Sequence, residues 1–249
     1  MIYFASDVHL GSGTPQEART TERRFVAWLD MAARDAEAVF LLGDIFDFWF
    51  EYRRVVPQGF VRTLGKFAEL TDRGIRVVFF TGNHDMWTRD FLTRECGVEV
   101  RTAPQTVTLC GQRLFVAHGD NMNIHGQPAL RLLNRIFRSR VLRFLFAWGL
   151  HPDLAVRFGR WWSGKSRKAH RTDGPADPST TGPLIDFARS CAAGHPDRPI
   201  DHFVFGHMHV ARDFRDGPLH TVHLGCWESA PAYAVLSPDG ELSLKTFEP

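Results

Sequence analysis

The segment VFLLGDIFDFWF, residues 39–50, decides how the rest of the chain is interpreted. Its first four residues predict a strand that is buried on both faces. Asp44 and Asp47 follow among large apolar side chains, where an unpaired carboxylate would be costly to bury. We therefore expect a compensating positive charge beside the end of this strand.

The same arrangement, an apolar strand followed by polar ligand-type residues, occurs five times. The five endings are DVH (7–9), GDIFD (43–47), GNHD (82–85), HGD (118–120) and GHMH (206–209). Segments 21–34 and 59–72 have helical spacing and separate the first three strands, which predicts parallel pairing with helical crossovers. Because α/β proteins build their sites at the carboxyl edge of the sheet, we expect the five endings to converge.

The donors in these endings are carboxylates, imidazoles and an Asn carbonyl, and no thiol is among them. Such hard to borderline ligands suit Mn²⁺, Fe²⁺ or Zn²⁺. A single DxH or GHxH motif is more often structural than metal-binding, but five such endings in order favour a metal site. Two metals that share one carboxylate can clamp a phosphate for in-line displacement.

Length and composition fit one globular domain of 249 residues, 44% hydrophobic and 23% charged. We expect an α/β fold, a β-sandwich flanked by helices, with a helical insert or lid over residues 122–182. The four cysteines are far apart and form no CxxC, as is typical of reduced cytosolic proteins. The start MIYFAS predicts a strand rather than a signal peptide, so we expect a cytoplasmic location.

The net charge of +2 conceals an uneven distribution. Residues 131–171 contain eleven Lys or Arg and one Asp, a local charge of +10, which leaves 2 − 10 = −8 for the rest. Residues 128–150 hold too many Arg to span a bilayer, yet they are rich in Leu and Phe. They can form an ordinary helix with a solvated basic face, a helix lying on a membrane, or a cover that receives acyl chains. Nucleic acid is not an expected partner, because no nucleic-acid motif is present.

The motifs DVH, GDIFD, GNHD, HGD and GHMH resemble those of the calcineurin-like metallophosphoesterases. The resemblance covers residues 7–209 and implies two divalent metal ions that share Asp44. It implies that the first metal is held by Asp7, His9, Asp44 and His209, and the second by Asp44, Asn83, His118 and His207. It also implies catalytic roles for Asn83, His84 and Asp85, with Asp85 orienting His84, and contacts from Asn83, His84 and His207 to the substrate.

A narrower resemblance is to the pyrophosphatase branch of lipid A synthesis, carried by SDVHLG, LGDIFDFWFE, GNHDMW, the basic insert and LGCW. It implies hydrolysis of UDP-2,3-diacylglucosamine to UMP and 2,3-diacylglucosamine 1-phosphate. It further implies Mn²⁺ as the metal and a peripheral position on the cytoplasmic face of the inner membrane. The segment SGKSRKAHR, 163–171, is similar to the part of that branch that contacts diphosphate and sugar, which implies substrate contacts from Lys165, Ser166, Arg167 and His170.

One residue departs from that branch, whose members usually carry Arg where this chain has His84. Both residues can present a cation to a phosphate, but His can also release a proton near neutral pH. The chain can therefore share the activity or act on another phosphodiester, nucleotide pyrophosphate or phosphomonoester. A non-catalytic scaffold of the same fold is the third alternative, and the complete ligand set argues against it.

Overall fold

Two β-sheets and seven α-helices make up the described part of the chain in a computed structural model. The structure describes residues 1–122, 128–137, 139–170, 178–194, 197–228 and 230–248. The strands are β1 (Ile2–Ala5), β2 (Ala38–Leu42), β3 (Arg76–Phe80), β4 (Glu99–Arg101), β5 (Gln105–Leu109), β6 (Gln112–Ala117), β7 (His202–Phe205), β8 (Ala211–Asp216), β9 (Leu219–Leu224), β10 (Ala232–Leu236) and β11 (Leu242–Thr246). The helices are α1 (Pro15–Ala32), α2 (Val61–Asp72), α3 (Phe91–Cys96), α4 (Pro128–Phe137), α5 (Arg140–Gly149), α6 (Pro152–His170) and α7 (Gly182–Gly194), and a short 3₁₀ helix spans Pro178–Thr181.

The first sheet has six strands in the order β11-β10-β1-β2-β3-β4, and the second has five in the order β5-β6-β7-β9-β8. Strands β1 to β4 run parallel to one another, and for β1 to β3 this was predicted from the alternation of strands and helices. In the second sheet β6, β7 and β9 are parallel. Parallel strands end at the same edge of their sheet, so their following loops are brought together.

Each central strand sends alternate side chains into two different cores. In β2, Val39 and Leu41 face the helices α1 and α2, whereas Phe40 and Leu42 face the second sheet. A third core lies between α7 and the outer face of the second sheet. The layers are therefore helix, sheet, sheet and helix, which explains why the central strands read as continuous apolar runs. The predicted β-sandwich flanked by helices is confirmed.

Helix α1 begins earlier than the helical spacing of 21–34 predicted. Thr14 caps the helix by accepting from the Glu17 backbone N–H, and the Glu17 carboxylate accepts from the Thr14 N–H. This reciprocal pair satisfies two N–H groups that the first turn leaves without partners. Helix α3 and strand β4 were not predicted, because short elements carry little periodic signal. Strand β8 was not predicted because its sequence ARDFRD carries four charged residues and no apolar run.

Three helices, α4 to α6, lie between β6 and β7, in the region predicted as the insert. Phe146 of α5 packs on Phe50 and Trp87, with ring centroids 5.0 and 4.8 Å apart. Trp87 Nε1 also donates to the Phe137 carbonyl oxygen at 2.7 Å. Among the described residues, none of the helices combines the length and apolarity needed to cross a membrane. The division at residues 122 and 182 stays a prediction.

We expect Trp28→Ala to lower the free energy of unfolding by about 3–5 kcal/mol, because a large side chain leaves a cavity in a dense core. Trp28 is fully buried against Tyr3, Phe25 and Trp227. The measurement is urea unfolding followed by circular dichroism. The control Val61→Ala removes a side chain that is 74% exposed and should change stability by about 0.5 kcal/mol or less. Equal losses in both variants would contradict the assigned core.

Candidate metal centre and active site

The backbone of the predicted metal ligands is held in an unusual conformation. In the described chain, seven non-glycine residues have positive φ, and five of them are predicted ligands, with φ between 50° and 68°: Asp7, His9, Asp44, His207 and His209. A left-handed conformation costs of order 1–3 kcal/mol per such residue and persists only where the surrounding structure enforces it. Strain of this kind clusters at functional sites, which marks this sheet edge as one.

Glycines in the strand-ending motifs allow the loops to approach closely. A Cβ at Gly82 would lie 2.2 Å from Asp44 Oδ1, and a Cβ at Gly206 would lie 2.0 Å from Ser6 Oγ. No side chain fits at either distance, so GN and GH in these motifs are steric requirements. The predicted ligands that follow these glycines, Asn83 and His207, are thereby brought close to the predicted ligands from other strands.

Asp7, His9 and His209 form the first cluster. The Nε2 atoms of His9 and His209 are 3.2 Å apart, and Asp7 Oδ1 lies 3.2 Å from His209 Nε2 and 3.8 Å from His9 Nε2. Cys226 Sγ joins the two imidazoles, with all three ligand atoms within 4.8 Å of one another. Cys226 was not predicted, although its signal was of the same kind, a strand followed at once by a donor residue.

Asp44, Asn83, His118 and His207 form the second cluster. Asp44 Oδ2 is 3.3 Å from His118 Nε2, which is 3.1 Å from Asn83 Oδ1. Ligand atoms of Asp44, His118 and His207 lie within 4.8 Å of one another. His118 Nδ1–H donates to the Leu42 carbonyl oxygen at 2.8 Å, which leaves Nε2 facing the cluster. Asp44 also belongs to a group with His9 and His84, so it lies between the two clusters.

The electrostatics of both clusters favour added positive charge. Burial lowers the pKa of His118, but the charge of Asp44 outweighs this and raises it to about 10. Burial likewise opposes protonation of His209, but the adjacent Asp7 carboxylate outweighs this and raises its pKa to about 11. In addition, the buried atoms Asp7 Oδ1 and His9 Nδ1 lack hydrogen bonds in the described chain. The buried carboxylates raise the pKa values of adjacent imidazoles, and some potential ligand atoms have no hydrogen bond. Both features fit a site that binds two divalent cations.

His84 lies next to these clusters, and its ring is held by one backbone carbonyl and one side chain. Its Nδ1–H donates to the Asp47 carbonyl oxygen at 2.9 Å and is 2.7 Å from Ser163 Oγ. The Ser163 hydroxyl itself donates to Asp47 Oδ1 at 2.6 Å, so both neighbours of Nδ1 are acceptors. Ser163 belongs to α6, is 2% exposed and was not predicted as a site residue. Nε2 of His84 is therefore the nitrogen that is available to a substrate.

Asp85 does not have the contacts that were predicted for it. We expected it to orient His84, but its carboxylate accepts from the backbone N–H groups of Gly82 at 2.7 Å and Ile45 at 2.9 Å. It therefore ties the loop after β3 to the loop after β2. Burial and the nearby charge of Asp44 raise the pKa of Asp85 to about 7. The orienting contacts to the His84 ring come from Asp47 and Ser163 instead.

The remaining predicted substrate contacts fall outside what can be described. Lys165, Ser166, Arg167 and His170 belong to the last turns of α6, where their side chains lie outside the described residues. Asn83, His84 and His207, by contrast, line one pocket together. The structure thus brings together the predicted residues from the five strand endings and leaves those of 163–171 as a prediction.

Comparison with known proteins gives a consistent result. Residues 1–211 match the family model described as calcineurin-like phosphoesterase, a range that contains every predicted metal ligand and ends before Cys226. The chain is 40% identical over 247 residues to the UDP-2,3-diacylglucosamine hydrolase of Porphyromonas gingivalis, covering 94% of this chain and 93% of that protein. It is 29% identical to the UDP-2,3-diacylglucosamine hydrolase of Stutzerimonas stutzeri, covering 92% and 91%. The protein of that name from Neisseria gonorrhoeae is 28% identical, covering 96% and 94%.

We expect Mn²⁺ to raise the Tm of protein that has been dialysed against a chelator, because a cation that binds only the folded state stabilises it by about 2.7 kcal/mol at 100 times its Kd. Asp44→Asn should lose most of this gain, since the proposed shared ligand is weakened at both positions. Thermal unfolding and metal content by mass spectrometry measure the effect. The control Asp153→Asn changes a carboxylate that is 88% exposed and should keep the full gain. An unchanged gain in Asp44→Asn would contradict the ligand set.

Proposed function

Because the chain belongs to the calcineurin-like phosphoesterase family, we propose that it is a metal-dependent hydrolase that cleaves the pyrophosphate of UDP-2,3-diacylglucosamine. The products would be UMP and 2,3-diacylglucosamine 1-phosphate. Its 40% identity to a protein named for that substrate, along nearly the whole of both chains, supports this substrate over other phosphate esters. Such a reaction belongs to lipid A biosynthesis.

The observation that carries the proposal is a pocket with two chemically different linings. Asn83, His84 and His207 line it together with the apolar side chains Phe48, Trp49, Met86, Trp87, Phe137, Phe158 and Trp162. The polar residues come from the strand endings, whereas Phe137, Phe158 and Trp162 come from α4 and α6. A substrate that joins a diphosphate to acyl chains needs both linings in one pocket.

Asn83 and His84 are the residues that we propose to hold the reacting phosphate. His84 Nδ1–H is engaged by the Asp47 carbonyl oxygen and lies beside Ser163, so a protonated ring would donate from Nε2 to a phosphate oxygen. The same ring can deliver that proton as the phosphate ester leaves, as a positioned histidine does in general acid catalysis. His84 can thereby fill the place that Arg takes in related enzymes. His207 would contact the substrate from the opposite sheet.

Two divalent cations fit the two clusters, and we propose Mn²⁺ as the ion. Asp7, His9, Asp44 and His209 would hold the first, and Asp44, Asn83, His118 and His207 the second. When bound, they would supply Lewis-acid polarisation of the phosphate and activation of water. The chain's contribution is to fix the ligands on strained loops at the sheet edge.

Residues 122–182 would act as a lid within a single domain, residues 1–249. Helices α4 and α6 already contribute to the pocket lining. We propose that Lys165, Ser166, Arg167 and His170, at the end of α6, contact the diphosphate and sugar. Basic side chains and a hydroxyl are suited to phosphate oxygens.

The test of the proposed function is turnover of UDP-2,3-diacylglucosamine by the Mn²⁺-loaded protein, with the products identified by mass spectrometry. We expect UMP and 2,3-diacylglucosamine 1-phosphate. Phe137→Asp should reduce this turnover at least about tenfold, because burying an unpaired charge beside an acyl chain costs more than about 1.4 kcal/mol. The same variant should still hydrolyse a small aryl phosphodiester.

The matched control is Ile136→Asp, the neighbouring residue on α4, which is 44% exposed and does not line the pocket. It should keep turnover of the acylated substrate. If wild-type protein hydrolyses only the aryl phosphodiester, the chain acts on another phosphate ester. If Phe137→Asp and Ile136→Asp behave alike, the apolar lining does not receive the acyl chains.

We also propose that the insert rests on the cytoplasmic face of the inner membrane through α5. Val141, Phe144, Leu145 and Trp148 recur at helical spacing on one face, and each is between 54% and 81% exposed. The opposite face packs inward through Phe146. An apolar stripe of this size turned to solvent is typical of a helix that lies in a membrane interface.

We expect the double variant Phe144→Asp, Trp148→Asp to lose binding to vesicles of phosphatidylethanolamine and phosphatidylglycerol, because two apolar anchors are replaced by charges that anionic lipid repels. Vesicle flotation measures the bound fraction. Val61→Asp places a charge at an equally exposed apolar position on α2 and should bind as the wild type does. Wild-type protein that stays with the unbound fraction would refute a membrane contact.

A further inference from the structure

We propose that Cys226 is a fifth ligand at the first metal position, beside Asp7, His9, Asp44 and His209, and that this position therefore prefers thiophilic cations. The inference rests on the proposed metal-dependent function and goes beyond its ligand set. It concerns a residue that lies outside the five motifs and outside the family match of residues 1–211.

The fold places Cys226 at the same sheet edge as the other ligands. It follows β9, which runs parallel to β7, the strand that leads to His207 and His209. The Trp227 backbone N–H donates to the Asp7 carbonyl oxygen at 3.1 Å, which fixes the loop carrying Cys226 to the loop carrying Asp7. Cys226 itself is 5% exposed. It is thus a sixth strand ending that delivers a donor to this edge.

The distances at this position fit a single ion. Cys226 Sγ and the imidazole nitrogens of His9 and His209 lie within 4.8 Å of one another, and the two Nε2 atoms are 3.2 Å apart. Two imidazoles bound to one tetrahedral zinc at about 2.0–2.1 Å have their nitrogens roughly 3.3–3.4 Å apart. The two imidazoles are therefore already spaced as ligands of one ion, and the sulfur borders the same space.

A second observation points to a cation here independently of the cysteine. Asp7 is fully buried, and its Oδ1 atom makes no hydrogen bond in the described chain. This oxygen is directed at the same place, 3.2 Å from His209 Nε2 and 3.8 Å from His9 Nε2. Buried carboxylate oxygens are nearly always hydrogen-bonded or bound to a cation.

The alternative is that Cys226 is a small apolar filler, as buried cysteines often are. The other three cysteines fit that description, because Cys96, Cys110 and Cys191 each pack in one of the three hydrophobic cores. Cys226 is buried but belongs to none of these cores, and its Sγ atom lies within 4.8 Å of ligand nitrogens of His9 and His209. Its surroundings are those of a ligand rather than of core packing.

A thiolate ligand has a definite chemical consequence. Sulfur donors favour Zn²⁺, Co²⁺ and Cd²⁺ strongly over Mn²⁺, whereas carboxylate and imidazole donors discriminate less. The first position should therefore bind Zn²⁺ more tightly than the second position does. Replacing Cys226 by Ser should weaken Zn²⁺ binding there by at least about 10- to 100-fold, the loss that follows from removing even an outer-shell partner of a metal ligand, and should affect Mn²⁺ less.

The experiment loads the full chain with Co²⁺ and compares wild type, Cys226→Ser and the control Cys191→Ser. We expect the near-ultraviolet absorption of a thiolate bound to cobalt in wild type and Cys191→Ser, and its absence in Cys226→Ser. Competition titration should show the loss of Zn²⁺ affinity in Cys226→Ser alone. Cobalt binding with no thiolate absorption in wild type overturns the proposal and leaves the proposed function standing.

A second measurement covers the case in which Cys226→Ser fails to fold. X-ray absorption of Zn²⁺-loaded wild-type protein should show one sulfur neighbour at about 2.3 Å from zinc. Only nitrogen and oxygen neighbours would overturn the proposal. Thiolate absorption in protein that does not hydrolyse UDP-2,3-diacylglucosamine would support the ligand and refute the substrate. Failure to bind any metal would refute both the ligand and the metal-dependent function.

Discussion

The burial of Asp7 and Asp44 at one edge of the sandwich is the constraint on which the site depends. Both carboxylates are almost completely removed from water, and both lie against imidazoles rather than against Lys or Arg. Burial alone would keep them protonated, yet the neighbouring imidazoles lower the pKa of Asp44 well below its usual range. The negative charge is therefore retained, and the fold must supply cations or protons to meet it.

Sheet topology explains how six loops can meet this requirement together. Parallel strands point their carboxyl ends the same way, and the two sheets face each other with these ends on a common side. The His207 backbone N–H donates to Asp7 Oδ2 at 2.9 Å, and His118 reaches across to the Leu42 carbonyl. Each sheet thus supplies residues to both clusters. These hydrogen bonds between the sheets help to offset the backbone strain of the predicted ligands with positive φ.

Much of this arrangement could be predicted because it is encoded locally. An apolar run followed by Asp, Asn or His can be recognised in the sequence without knowing which strands lie beside it. The parallel arrangement of β1 to β3 could likewise be predicted from the alternation of strands and helices. Thr14 and Glu17 have the spacing of a capping box and could have marked the start of α1, but the prediction relied on apolar spacing alone and began the helix too late. Ser163 was out of reach, since its role arises only from contacts across 79 residues of chain to His84. The carboxylate of Asp85 meets Gly82 and Ile45 rather than the His84 ring for a related reason, because adjacency in sequence does not determine which group a buried carboxylate contacts.

The contact between Ser163 and His84 connects the imidazole ring to two parts of the fold, the loop after β2 and helix α6. One of its hydrogen-bonding neighbours belongs to the loop after β2, and the other belongs to α6. The position of α6 and the orientation of the His84 ring are therefore thermodynamically linked. A ligand that stabilises one position of α6 stabilises the matching ring orientation by the same free energy, and a ligand that fixes the ring stabilises that position of α6 equally. The proposed function would therefore couple the apolar pocket lining on α6 to the orientation of His84, the residue proposed to hold the phosphate.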